Sequence, residues 1–141
     1  MNPEHLSAVF AFGEDRVEIE FLDAAEREAG KGDRNLALFG VRVRSGAFGG
    51  YSVCTCEPQA FHTFVEQLRE LYAFRRDSAT LSEMYYGSRV TFSLRKTGLM
   101  EVEGKLFDSG MVQHLTFHFD ADQSVLPPFL AGLAQYDRFI I

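Results

Sequence analysis

The feature that most constrains this chain is the agreement of three consecutive alternating segments, residues 89–95, 99–107 and 111–120. In each, apolar side chains recur at every second position, the period of a strand with one buried face. Lys96-Thr97-Gly98 separates the first two and ends in the glycine that three-residue hairpin loops prefer. Closing that loop sets Phe92 opposite Val102 and Leu94 opposite Met100. A two-residue turn at Ser109-Gly110 then sets Val102 opposite Phe117, Gly104 opposite Leu115 and Met100 opposite Phe119. The apolar faces agree across all three strands, and a slip of one residue would turn them to solvent. An antiparallel meander is therefore built into the chain.

The same period marks further strands. Leu6, Ala8, Phe10 and Phe12 alternate, and Val17, Ile19 and Phe21 alternate with Glu18 and Glu20, with Gly13-Glu14-Asp15 as the turn between them. Leu36 and Leu38 keep one register while Val41 and Val43 keep the other, so the change of parity at Phe39-Gly40 predicts a β-bulge. Gly46, Gly49 and Gly50 flank Phe48, which is expected at an exposed tip, and lead into a strand over 51–56. A short strand is expected near 79–84. Residues 23–35 are rich in charge, hold two glycines and show no apolar period, which predicts a loop or a frayed helix, the least ordered part of the chain.

Two helices stand out. Pro58 suits a first helical turn, and Phe61, Phe64, Val65, Leu68, Leu71 and Tyr72 then recur at spacings of three and four up to Arg75-Arg76-Asp77. The opposite face, which includes His62, Glu66 and Arg69, should meet water. Asp122 or Ser124 can cap a second helix over 124–136, with Pro127 and Pro128 in its first turn and Val125, Leu126, Phe129, Leu130 and Leu133 as its stripe. Phe139, Ile140 and Ile141 are too apolar to be left in solvent.

These elements predict an α+β fold: a twisted antiparallel sheet of about seven strands, near the usual sheet size, with two helices packed on one face. The chain has 141 residues, which suits a single domain over 1–141. Fourteen Phe and five Tyr with no Trp make aromatic packing the main content of its core. Residues 52–72 and 115–136 share one order, strand, acid, proline, apolar helix and tyrosine, which raises an internal repeat.

The formal charge is −6, so the mean field favours cationic partners and disfavours nucleic acid and anionic lipid. No apolar run approaches a membrane span, and residues 1–12 lack the pattern of a leader, which predicts a cytoplasmic location. Cys54 and Cys56 fall on one side of an extended segment, too far apart for an unstrained bridge, and should be reduced. His114 and His118 on one strand lie roughly 13 Å apart at about 3.3 Å per residue, too far to chelate one ion. There is no Gly-x-Ser-x-Gly elbow or Cys-x-x-Cys, and the glycines at 46–50 lack a phosphate-loop lysine. No catalytic group, metal or cofactor is therefore expected.

Binding is the remaining chemistry. Glu14, Asp15, Glu18, Glu20, Asp23 and Asp33 form an acidic N-terminal stretch that could steer a cationic partner, although acids on an edge strand also deter aggregation. A second polar face carries Glu101, Glu103, His114 and His118, where the register above sets His118 opposite Glu101 and His114 opposite Lys105.

The apolar helix after Glu57-Pro58, the meander containing Gly98-Leu99-Met100-Glu101-Val102-Glu103-Gly104-Lys105-Leu106, and Asp122-Gln123-Ser124-Val125-Leu126 opening the last helix stand in an order that resembles a bacterial group. Over residues 35–136 the chain is similar to the WapI-type immunity proteins and related small bacterial domains. The resemblance implies a non-catalytic protein that neutralises a toxin delivered between competing bacteria by occluding it. A basic toxin domain would then be the partner of the acidic surface. The competing class is a housekeeping or small-ligand-binding domain, for which an apolar pocket would matter more than surface charge.

Overall fold

The computed structural model describes residues 6–140. Among them, four strands make a first antiparallel sheet in sequence order: β1 (Ser7–Phe12), β2 (Asp15–Phe21), β3 (Ala37–Ser45) and β4 (Phe48–Cys56). Four more, β5 (Ser78–Ser82), β6 (Arg89–Leu94), β7 (Leu99–Phe107) and β8 (His114–Asp122), make a second in the same way. The helices are α1 (Ala24–Glu28), α2 (Pro58–Tyr72) and α3 (Leu126–Ile140), the last entered through a 3-10 turn at Gln123–Val125. Each half thus closes its four strands with a long helix, and residues 52–72 and 115–136 are the closing strand and helix of the two halves.

The fold is α+β and antiparallel as expected, but it has two sheets of four strands where the sequence predicted one of about seven. Strand periodicity reports which face is buried and not what buries it. Here the two apolar faces bury each other. Phe10 of β1 lies with its ring centroid 5.2 Å from Phe92 of β6 and 6.4 Å from Phe119 of β8, so one aromatic core joins the sheets. α3 packs on β1, α2 packs on β5, and the two helices meet.

The helix stripes are as read from the sequence, with shifts at the ends. Phe61, Phe64, Val65, Leu68 and Leu71 are buried on α2, but Tyr72 is exposed. α2 stops at Tyr72 because Phe74 turns left-handed, with φ 60°, and Arg75 N donates to Glu70 O at 2.8 Å. On α3 Leu126, Phe129, Leu133 and Tyr136 are buried; Val125 and Leu130 are half-buried. Asp122 accepts from Ser124 N at 2.8 Å, which holds its carboxyl below the usual range. Phe139 and Ile140 pack against the core, and Ile141 lies outside the described residues.

Two local expectations are corrected. There is no bulge at Phe39-Gly40: the pairing of β3 runs unbroken from Phe21↔Phe39 to Arg16↔Arg44. The core face is Ala37, Phe39, Val41 and Val43, with Leu38 half-buried on the other side. The missing Cβ of Gly40 lets the Tyr51 phenol lie over it.

The β7–β8 hairpin is displaced by two residues, pairing Val102 with Phe119, Gly104 with Phe117 and Met100 with Ala121. Its loop is closed by Asp108, which accepts from Val112 N at 3.0 Å, with Met111 left-handed at φ 56°. A slide of two keeps every apolar side chain on its face, so facial agreement could not detect it. The β6–β7 pairs Phe92↔Val102 and Leu94↔Met100 are as expected.

The charged segment 23–35 is a short helix, α1, followed by a loop, as expected, and its first turn is docked. Asp23 accepts from Tyr136 Oη at 2.5 Å, from Arg27 Nε at 2.9 Å and from Leu38 N at 3.2 Å. Arg27 also donates to the carbonyls of Asp33 and Leu36. Burial works against the Arg27 charge, but Asp23 and Tyr136 outweigh it and hold its pKa above the ordinary value. Burial, reinforced by Asp23, pushes the Tyr136 phenol up, so it stays protonated and donates.

Because α2 covers the core with one stripe, Leu68→Ala should cost about 2–5 kcal/mol and Phe64→Ala about 3–5 kcal/mol in urea denaturation. Losses of about 0.5 kcal/mol or less would show that this stripe does not bury the core.

Candidate protein-binding face

With Val17, Ile19, Val41 and Val43 committed to the core, strand alternation turns their neighbours to the outer face of the first sheet. That face is a ladder of three rows: Arg16, Arg44 and Gly49; Glu18, Arg42 and Tyr51; Glu20, Gly40 and Val53. Arg42 holds the middle. Its guanidinium lies 3.8 Å from Glu18 Oε1, 3.9 Å from Glu20 Oε2 and 4.4 Å over the Tyr51 ring. Tyr51 Oη donates to Glu20 Oε1 at 3.3 Å. Partial burial, with the Glu20 carboxylate, pushes the Tyr51 phenol up, so it remains a donor. In the first row, Arg16 and Arg44 face each other across the strands, and neither forms an ion pair among the described residues. They line an open depression of about 640 Å³ with Glu18, Arg42, Phe48 and Tyr51. Phe48 is 72% exposed at the hairpin tip, as expected, and Val53 is 53% exposed.

The six N-terminal acids do not form one surface. Glu14 is exposed in the β1–β2 turn, and Asp15 accepts from Gly46 N at 2.9 Å, tying that turn to the β3–β4 turn. Glu18 and Glu20 lie together but share Arg42. Asp23 points inward to Arg27 and Tyr136, and Asp33 is exposed, accepting from Asn35 N at 2.7 Å. The residues of this face that the sequence did not bring together are Arg16, Arg42, Arg44 and Tyr51. Their signal was the unbroken register through Gly40, which the expected bulge hid.

On the outer face of the second sheet, the two-residue displacement sets His118 opposite Glu103 and His114 opposite Phe107, correcting Glu101 and Lys105 as their partners. Asp120 stands opposite Glu101, and Glu101 pairs with Arg95. Glu101, His118 and Asp120 bring one ligand atom each within 4.8 Å of one another. Arg95 pairs with one oxygen of that Glu101 carboxylate. His114 does not join them; its ring lies 5.7 Å from that of Phe107. His62 does not simply face water: its Nδ1 lies 2.8 Å from Asp137 Oδ2 on α3, which links the two long helices.

A family model described as the immunity protein WapI-like family matches residues 10–137, nearly the whole chain. The chain belongs to the WapI-like immunity protein family. No curated protein sequence matches this immunity-family chain. Among solved structures, a chain from the crystal structures of Trypanosoma brucei MRP1/MRP2 is similar with a TM-score of 0.51 and 8% identity. The similarity covers 98% of this chain and 88% of that one. At such identity the likeness is one of fold.

The immunity-family chain also carries two free thiols, Cys54 and Cys56, buried on the inner face of β4. Burial pushes Cys54 up to about 11 and Cys56 up to about 12, both from 9.0. The neutral thiols therefore favour the fold fully below pH 9, and that contribution is lost as pH rises through 11 to 12. Folded protein at pH 8 should resist iodoacetamide, while denatured protein should label at both sites. Rapid labelling of folded protein would contradict this placement.

Proposed function

We propose that this chain is a bacterial immunity protein that neutralises a cognate toxin by binding and covering it, acting in the cytoplasm and catalysing no reaction of its own. The family match over residues 10–137 carries the reading. The net charge of −6 supports a basic toxin domain as partner, because the mean field would speed its approach. Glu14, Glu101 and Glu103, exposed or half-exposed, contribute to that field; Asp23, held by Arg27 and Tyr136, serves the fold. Glu101, Glu103, His114 and His118 form the alternative face for that partner, polar and solvated. The small-ligand reading draws no support from the cleft among Phe39, Cys54, Leu81 and Glu83, whose roughly 10 Å³ is far below a metabolite site.

The test starts from the neighbouring genes, where a large secreted toxin supports the reading and a metabolic operon contradicts it, and continues with titration of the toxin domain so identified. Occlusion predicts that toxin activity falls linearly and vanishes at one equivalent, and that association slows as salt is raised. Inactivation by a small fraction of an equivalent would replace occlusion with catalysis.

A further inference from the structure

The first row of the outer ladder is unusual for a surface with no partner. Arg16 and Arg44 are direct cross-strand neighbours, an arrangement that sets like charges about 5 Å apart at Cβ and costs stability. The nearby carboxylates are occupied elsewhere: Glu18 and Glu20 face Arg42, and Asp15 accepts from Gly46 N. In a chain of net charge −6, two adjacent guanidiniums are thus left without an ion pair among the described residues. The third position of the row is Gly49, which adds no side chain and keeps the depression open.

The walls are prepared for contact. Tyr51 is held by Glu20, by the Arg42 guanidinium over its ring and by the space above Gly40. A side chain fixed in advance loses little freedom on binding. Phe48 stands at the rim with 72% of its surface in solvent. Tyrosine and arginine at the centre of a concave patch are the residue types that dominate interface energy. Arginine forks also match the two oxygens of a carboxylate.

We infer that the depression at Arg16, Arg44 and Phe48 sets the register of the toxin by receiving an acidic side chain of the toxin surface, with an apolar side chain beside it packed on Phe48. This rests on the toxin-binding reading above. Overall charge selects a protein surface over a nucleic acid: the lining itself holds Arg16, Arg42 and Arg44 against Glu18, but the chain's net −6 would repel a run of phosphates. A single carboxylate meets the two guanidiniums, while basic residues around it meet the exposed Glu14. The wider field steers a basic toxin, and the arginine pair fixes where it docks.

The experiment measures binding of the same toxin domain to wild type, Arg44→Glu, Arg16→Glu and Phe48→Ala, each checked for folding by circular dichroism and melting temperature. Either charge reversal should weaken binding about 30-fold or more, mainly through faster dissociation. Phe48→Ala should weaken it about tenfold. Arg44→Glu should melt no lower than wild type, because it removes a like-charge neighbour. If wild type does not bind the toxin, the function proposed above fails. If wild type binds and all three folded variants bind within about twofold of it, the function stands and this surface is wrong. A dT20 oligonucleotide is the counter-probe. Micromolar binding by wild type at physiological salt, abolished by Arg44→Glu, would overturn the choice of a protein partner.

Discussion

Phe10 is fully buried where the two halves of the molecule meet, edge-on to Phe92 of the second sheet and to Phe129 of α3. Each half has an apolar sheet face and a helix stripe that it cannot cover alone, and mutual closure buries both. Because the core consumes the inner faces, the two outer faces are released from packing and can vary in chemistry without unfolding the protein. The first became a ladder of arginine, acid and tyrosine. The second became a polar plane with threonines on β5 and β6 and acids and histidines on β7 and β8. A binding function fits this division, since a partner can be met on a free face while the aromatic core stays closed.

A second anchor sits at the far end of that core. The Tyr136 ring stacks on Phe21 at 4.2 Å between centroids, and its hydroxyl reaches Asp23. The Arg27 side chain beside it is only 5% exposed, and a guanidinium so covered must have its donors satisfied. Asp23 and the carbonyls of Asp33 and Leu36 supply that need. Asp23 and Arg27 therefore dock α1 against α3 and β3, while the other charged side chains of the segment stay exposed. A count of carboxylates alone would have assigned Asp23 to the surface.

What could be read from the sequence follows the same physics. The β6–β7 hairpin was legible because Gly98, left-handed at φ 90°, fixes the loop and hence the pairing. The β7–β8 register was not, because a slide of two preserves parity. In the observed register the Arg89 carbonyl and the Phe117 ring both crowd the place where a Cβ of Gly104 would stand. Helix stripes were legible because their period is intrinsic to α2 and α3, whereas the division into two sheets depends on what each face meets in space. At the candidate face, the acids were visible as composition. Arg16 and Arg44 became a pair only once β2 and β3 were placed side by side.

On the proposal above, the outer face of the first sheet meets the toxin. Amide hydrogen exchange of this protein, free and bound to the toxin domain, tests it most directly. Binding through the arginine row predicts slowed exchange in residues 13–18 and 42–53, with 101–120 unchanged. Slowed exchange confined to 101–120, with 42–53 as in the free protein, would contradict the account and move the interface to the second sheet.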